Sequence, residues 1–291
     1  GDFRISFQPE SLVGTQTEEL EKPKFLAIVS SLSLAKALAE DPAARPYGFI
    51  VEGPEAGGHS APPAKMRFDE KGQPLLQYTD EDRADIEGIA ALGLPFWLAG
   101  SCSSPEHVRD ARRRGATGIQ FGTVAALTGQ SCMAPAVRKQ ALNLLAGNNL
   151  TVDNTMVSPT GFPFKVARIP GTISEKTVYE CRKRVCDIGL LQANYLKPDG
   201  TLGYRCPAEP VADFVAKGGR VQNTAGRACL CNGLLAATGL PQIRHDGYVE
   251  PPIVTLGEDL STARELLAQL PPGQETYTIG KLMLYLRKGL A

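Results

Sequence analysis

The chain has 291 residues, and its 31 Lys+Arg are balanced by 31 Asp+Glu to a formal net charge of zero. That balance argues against nucleic acid or an anionic membrane as the main partner. No run of about 18 uninterrupted apolar residues is present, so no membrane-spanning helix is predicted. The length suits one large α/β domain or two ordinary ones. No secretory signal is visible, and the chain opens on Gly1 rather than Met. The expectation is a cytoplasmic protein with a piece missing upstream.

In chain order, residues 3–7 form a short strand candidate, and the apolar run 24–31 a strand followed by a helix over 33–41. Residues 47–53 are a second strand. The stretch 79–93 reads as one helix, opened by Thr79 with acidic residues in its first turn and closed by Gly93. A strand over 94–101 precedes a helix with Ser104 as its cap and Pro105 at its first position. Within that helix Arg112, Arg113 and Arg114 read as a solvated face. A strand over 118–123 and a helix over 134–147 follow. These strands are almost wholly apolar, which predicts a parallel sheet buried on both faces by helices. Short regular units of this kind suit a (β/α) barrel or a doubly wound sheet.

Beyond residue 150 the texture becomes rich in Gly, Pro and Cys. A helix capped by Ser174 and running to about residue 191 is predicted, with further helices near 231–240 and 259–273. The division expected is residues 1–150 as a sheet-and-helix unit and 151–291 as a mostly irregular and helical extension packed on it. Five of seven cysteines crowd between positions 181 and 231, with no Cys-x-x-Cys pair. Cys186, Cys206, Cys229 and Cys231 are left open between a zinc or iron–sulfur site and small buried or reactive thiols. No residue is assigned to a metal.

The chemistry gathers where strands end. Gly53-Pro54-Glu55-Ala56-Gly57-Gly58-His59, Ala99-Gly100-Ser101 and Gln120-Phe121-Gly122-Thr123 each place small residues where an apolar strand meets its loop. Ligands of α/β folds bind at such carboxyl ends. Amides around Gly100, Ser101, Gly122 and Thr123, with the hydroxyls of Ser101 and Thr123, suit a phosphate dianion. His59, one of three histidines, has the proton affinity to exchange a proton near neutral pH. Glu55 reads as a brace for the loop, and Phe49, Phe96, Trp97 and Phe121 as apolar walls.

The segment "GPEAGGHSAPP" resembles the "G-x-E-A-G-G-H-x-G" signature of nitronate monooxygenases, formerly 2-nitropropane dioxygenases. "PFWLAGS" and "GATGIQFGT", continuing into Thr128-Gly129-Gln130-Ser131, resemble that family's later segments in order and spacing. The resemblance covers residues 45–145. It implies an FMN-dependent TIM-type barrel that oxidises alkyl nitronates with O₂ to a carbonyl compound and nitrite. It places catalysis on His59 and FMN binding on Ala56, Gly57, Gly58, Gly100, Ser101, Gln120, Phe121, Gly122 and Thr123. FMN-dependent enoyl-thioester reductases, which consume NAD(P)H, resemble the same barrel, and a non-catalytic flavin- or phosphate-binding partial barrel is a further alternative. Ser101 stands where the family has a second glycine, and Ser60-Ala61-Pro62-Pro63 stiffens the loop after the histidine. Only the later barrel strands are found in this chain. A half barrel leaves sheet edges open, so the early strands are expected in cis, from another chain, or replaced by self-association.

Overall fold

The computed structural model describes residues 8, 10–14, 23–65, 67–70 and 74–290. The strand candidate at 3–7 lies outside them. The strands are β1 (Leu26–Val29), β2 (Gly48–Glu52), β3 (Gly58–His59), β4 (Arg67–Phe68), β5 (Pro74–Leu75), β6 (Phe96–Ala99), β7 (Gly118–Ile119), β8 (Val152–Val157), β9 (Pro163–Ala167), β10 (Ala193–Leu196) and β11 (Leu202–Arg205).

The fold is mixed α/β, and its centre is a parallel sheet in the order β1-β2-β6-β7. Val29 lies opposite Val51, Val51 opposite Leu98, and Leu98 opposite Ile119. Sheet order follows chain order with no reversal, so all four carboxyl ends open on one edge without the crevice of a doubly wound sheet.

One face of this sheet is a core. Ala27, Val29, Phe49, Val51, Phe96 and Leu98 pack against Ala35, Ile89 and Ala111 of the covering helices. Those helices start where their polar caps dictate. Ser31 accepts from Leu34 N to open Leu32–Glu40, and Ser104 accepts from His107 N to open Pro105–Arg113. The other face differs from the doubly buried expectation. Ile28 is 56% exposed, and Ile50 and Trp97 are half-buried. Apolar residues on both faces made the run look covered on each side, but among the described residues the covering helices pack on one.

The helix expected over 79–93 is two pieces. Asp82 turns its carboxylate back onto Thr79 N, which closes a single turn at Asp80–Asp82. The chain then extends at Arg83, and Asp85 caps a new helix, Ile86–Ala90. Two competing caps within seven positions stop one helix from running through.

The stretch after residue 150 is more strand-bearing than its composition suggested. β8 and β9 pair antiparallel, and β9 also pairs antiparallel with β3. Every residue of β9 is buried. A second core joins Leu127, Leu142 and Leu145 to Val254, Leu256, Leu266, Tyr277 and Leu282. The helix expected over 174–191 shrinks to Lys176–Glu180. Ser174 is buried and bonded to Thr172 and Ile169 instead of capping. Among the described residues no helix is long and apolar enough to cross a membrane.

A candidate anion-binding cleft at the strand ends

The carboxyl ends of β2, β6 and β7 enclose a cleft of about 260 Å³. Ala56, Gly57, Gly100, Ser101, Gln120, Phe121, Gly122 and Thr123 all line it. The structure therefore brings together eight of the residues singled out in the sequence.

The turn after β6 is unusual. Gly100 has φ +84° and Ser101 φ +54°, two successive left-handed residues. A Cβ on Gly100 would sit 3.0 Å from the backbone of Gly53, so the two strand-end loops touch at backbone level. Ser101 holds this conformation despite its side chain, at a cost of roughly 1–2 kcal/mol. Its Oγ is buried and has no hydrogen-bond partner. Among the described residues, no acceptor takes a hydrogen bond from the amides of Gly100, Ser101, Phe121, Gly122 or Thr123. A buried hydroxyl without a partner, as at Ser101, is costly. Residues with unpaired amides that line one concavity suit an anion.

The remaining wall comes from far along the chain. Thr255, Leu256, Gly257 and Asp259 line the cleft opposite the β6 turn. Gly257 N donates to Thr123 Oγ1 at 2.8 Å, and Glu258 N to the Glu55 carbonyl at 3.2 Å. A Cβ on Gly57 would lie 2.5 Å from Gly257 N, so only glycine lets these loops meet. Neither this wall nor Lys165, described below, was legible in the sequence, because nothing local marks a contact across such separations.

Among the described residues no lysine or arginine lines the cleft, but three carboxylates do: Glu52, Glu55 and Asp259. Each is managed differently. Glu55 is paired with Arg83. Asp259 accepts from the amide and hydroxyl of Ser261. Glu52 ends β2, and burial pushes its carboxyl up to about 7, against the opposing pull of the Lys165 ammonium. It is thus largely protonated in mildly acid solution. The sequence showed Glu52 only as the carboxylate closing an apolar run. Cys102 also lines the cleft, but burial pushes its thiol up to about 11, so it remains a neutral thiol. It donates to Gly100 O at 3.3 Å.

Gly58 and His59 do not line this cleft. They form β3, where His59 lies opposite Phe164 with the rings edge to face at 4.9 Å. Thr255, a lining residue, is the neighbour of Gly58. The His59 side chain is exposed, and desolvation holds its pKa below the usual 6.5, so the imidazole is neutral at pH 7. Of the expected apolar walls, Phe121 lines the cleft, whereas Phe49 and Phe96 belong to the core on the helix side. The seven cysteines are free thiols. Among the described residues no group of three or more His, Cys, Asp or Glu is arranged to hold a metal ion.

Two solved structures of FabK from Thermotoga maritima, one a point mutant, are similar to this chain. The mutant is 22% identical over 51% of this chain and 41% of its own, with a TM-score of 0.35. The other is 20% identical over 60% of this chain and 45% of its own, with a TM-score of 0.37. The chain thus spans less than half the length of either. No family model matches it, and no curated protein does.

Proposed function

We propose that the cleft holds the phosphate tail of FMN, that the parallel sheet is the later part of a (β/α) barrel, and that the chain serves an FMN-dependent oxidoreductase acting on alkyl nitronates. One observation carries this reading: five residues whose amides have no acceptor among the described residues, one of them Ser101 with its orphaned hydroxyl, line one cleft. That donor set fits a phosphate dianion without a lysine or arginine. The three lining carboxylates do not forbid it, because Glu55 is neutralised by Arg83, Asp259 is engaged by Ser261, and Glu52 carries a proton up to about pH 7.

Gly100, Ser101, Phe121, Gly122 and Thr123 hold the tail, and Ala56 and Gly57 let backbone approach it closely. Bound flavin supplies the two-electron oxidation of the nitronate, with O₂ as the final acceptor. A nitronate is already an anion and needs no base. A neutral nitroalkane must first lose its α-proton, and the neutral imidazole of His59 is suited to accept it.

The test is direct. Titration of the protein into FMN should quench flavin fluorescence, and riboflavin, which lacks the phosphate, should bind at least about tenfold more weakly, a loss of ~1.4 kcal/mol. Equal affinity for the two would remove the phosphate cradle. Nitrite release from a nitronate supports the reading, whereas NAD(P)H consumption with an enoyl thioester would replace it by a reductase. His59→Asn should depress turnover of neutral nitroalkane more than that of nitronate, and an equal loss on both would remove the proton-transfer role.

A further inference from the structure

Lys165 lies in the middle of β9 with none of its side chain exposed to solvent. A buried ammonium persists only where it is paired. It donates to the Pro54 carbonyl and pairs with Glu258 Oε1 at 2.9 Å. Pro54 belongs to the loop that carries Glu55, Ala56 and Gly57 into the cleft, and Glu258 follows the wall formed by residues 255–257. The strand beneath is paired to β3, at the end of that same loop. Thr255 Oγ1 donates to the Lys165 carbonyl at 2.7 Å. A single side chain thus ties together three segments that surround the cleft.

Glu52 stands at the start of this loop and borders three adjoining cavities of about 260, 200 and 460 Å³. The titratable groups around it come from several elements. From β9 it faces Lys165, whose ammonium draws it toward the ionised form. From its own loop and the far wall come Glu55, held by Arg83, and Asp259. The small cavity on the other side brings Tyr78, Glu81 and Asp82, with Lys65 paired to Glu81. The β6 turn contributes the neutral thiol of Cys102, and the cavity of about 460 Å³ adds His107 and Arg114 from the helix that follows, together with Arg83. Lys165 is the buried cation of this set, and Glu52 is the member poised to change charge near neutral pH.

We infer that Lys165 is a positioning residue of the cleft, fixing the Gly53–Gly57 loop and setting the protonation of Glu52, so that the cleft takes up an anionic ligand together with a proton. The ligand part rests on the FMN reading above; the coupling of Lys165 to Glu52 does not. An anion beside Glu52 favours its neutral form, so affinity is highest below pH 7. It falls as pH rises past the titration of Glu52, by at most about tenfold per pH unit.

Carboxyl-carbon NMR of the full chain, labelled at its glutamates, reads the coupling without ligand. The Glu52 signal, identified by its loss in Glu52→Gln, should titrate near pH 7. Lys165→Met should raise that midpoint by about one unit or more, and Lys165→Arg should leave it near the parent value. Should Lys165→Met fail to fold, Glu258→Gln, at a side chain 45% exposed, removes a negative charge and should lower the midpoint. A Glu52 midpoint near 4.5, or one unmoved by both substitutions, overturns the coupling. FMN titrated from pH 5.5 to 8.5 should lose affinity more steeply with the parent chain than with Glu52→Gln, which retains any contribution from the phosphate's own titration. Identical profiles overturn proton uptake. Failure to bind FMN at every pH removes the FMN reading and the anion half of this inference, while the NMR series still decides the coupling.

Discussion

At the residue scale, Glu52 and Ser101 each carry a cost that a cleft of this kind explains. The Glu52 carboxyl lies at about 7 in the folded chain against 4.5 as its reference. The folded state therefore holds this proton more tightly than the unfolded state. Below pH 4.5 both states are protonated and nothing is lost. Between 4.5 and 7 stability falls as pH rises, and above 7 the penalty is complete. Because Glu52 is half-buried, solvent screening reduces the penalty to about 1–2 kcal/mol. Glu52→Gln should raise urea-unfolding stability by that amount at pH 8 and by almost nothing at pH 4; an equal difference at both would mean that this carboxyl is not perturbed. Ser101→Gly relieves a left-handed serine. The gain of about 1 kcal/mol is offset in part by the freedom of glycine in the unfolded chain. The variant should melt at or slightly above the parent temperature yet bind FMN some 2- to 10-fold more weakly, through loss of one hydroxyl donor. Unchanged affinity would remove the hydroxyl from the cradle. Ser101 was readable in the sequence because a strand-end glycine precedes it. Lys165 was not, since a lysine between Phe164 and Val166 gives no local sign of lying at a loop junction far away in sequence.

At the element scale, local signals located the parallel strands and most covering helices, because caps such as Ser31 and Ser104 act within one turn. They failed where long-range burial decided the outcome. The expected helix beyond Ser174 stops after Glu180 because Arg182 turns inward. Its guanidinium and the Glu250 carboxylate are each only 1% exposed, and the guanidinium also donates to Cys229 O at 3.0 Å. Tyr248 Oη donates to the same carboxylate at 2.7 Å. β8 and β9 were missed for a related reason. Their Gly- and Pro-rich surroundings resemble loops, and β9 forms a strand by inserting between β3 and β8. Removing one partner of a buried ion pair leaves the other uncompensated. Glu250→Gln should therefore cost about 3 kcal/mol of unfolding free energy, read by urea denaturation, with FMN affinity unchanged because Glu250 does not line the cleft. A cost under about 0.5 kcal/mol, the size of a surface substitution, would show that the pair is not structural.

At the scale of the whole molecule, a boundary near residue 150 is a change of composition rather than a gap between cores. Leu127, Leu142 and Leu145 precede it, and Val254, Leu256, Leu266 and Leu282 follow it, in one buried cluster. Tyr277 Oη donates to Val124 O at 2.8 Å, and Gly257 N to Thr123 Oγ1, so the short helix Thr123–Ala126 beside the cleft is held from the far part of the chain. β3 finds its partner in β9. Cutting at residue 150 would uncover several large side chains at about 1.5–3 kcal/mol each, which together reach the 5–15 kcal/mol that stabilises a whole domain. The full chain should unfold in one cooperative transition, with calorimetric and van't Hoff enthalpies in agreement. A fragment of residues 1–150 should show no cooperative melt and no FMN binding, and adding residues 151–291 should restore both. A cooperative melt of residues 1–150 alone, at a temperature near that of the parent, would mean that the parallel sheet and its helices fold without the C-terminal part. The cleft would then be a site that the C-terminal part merely covers.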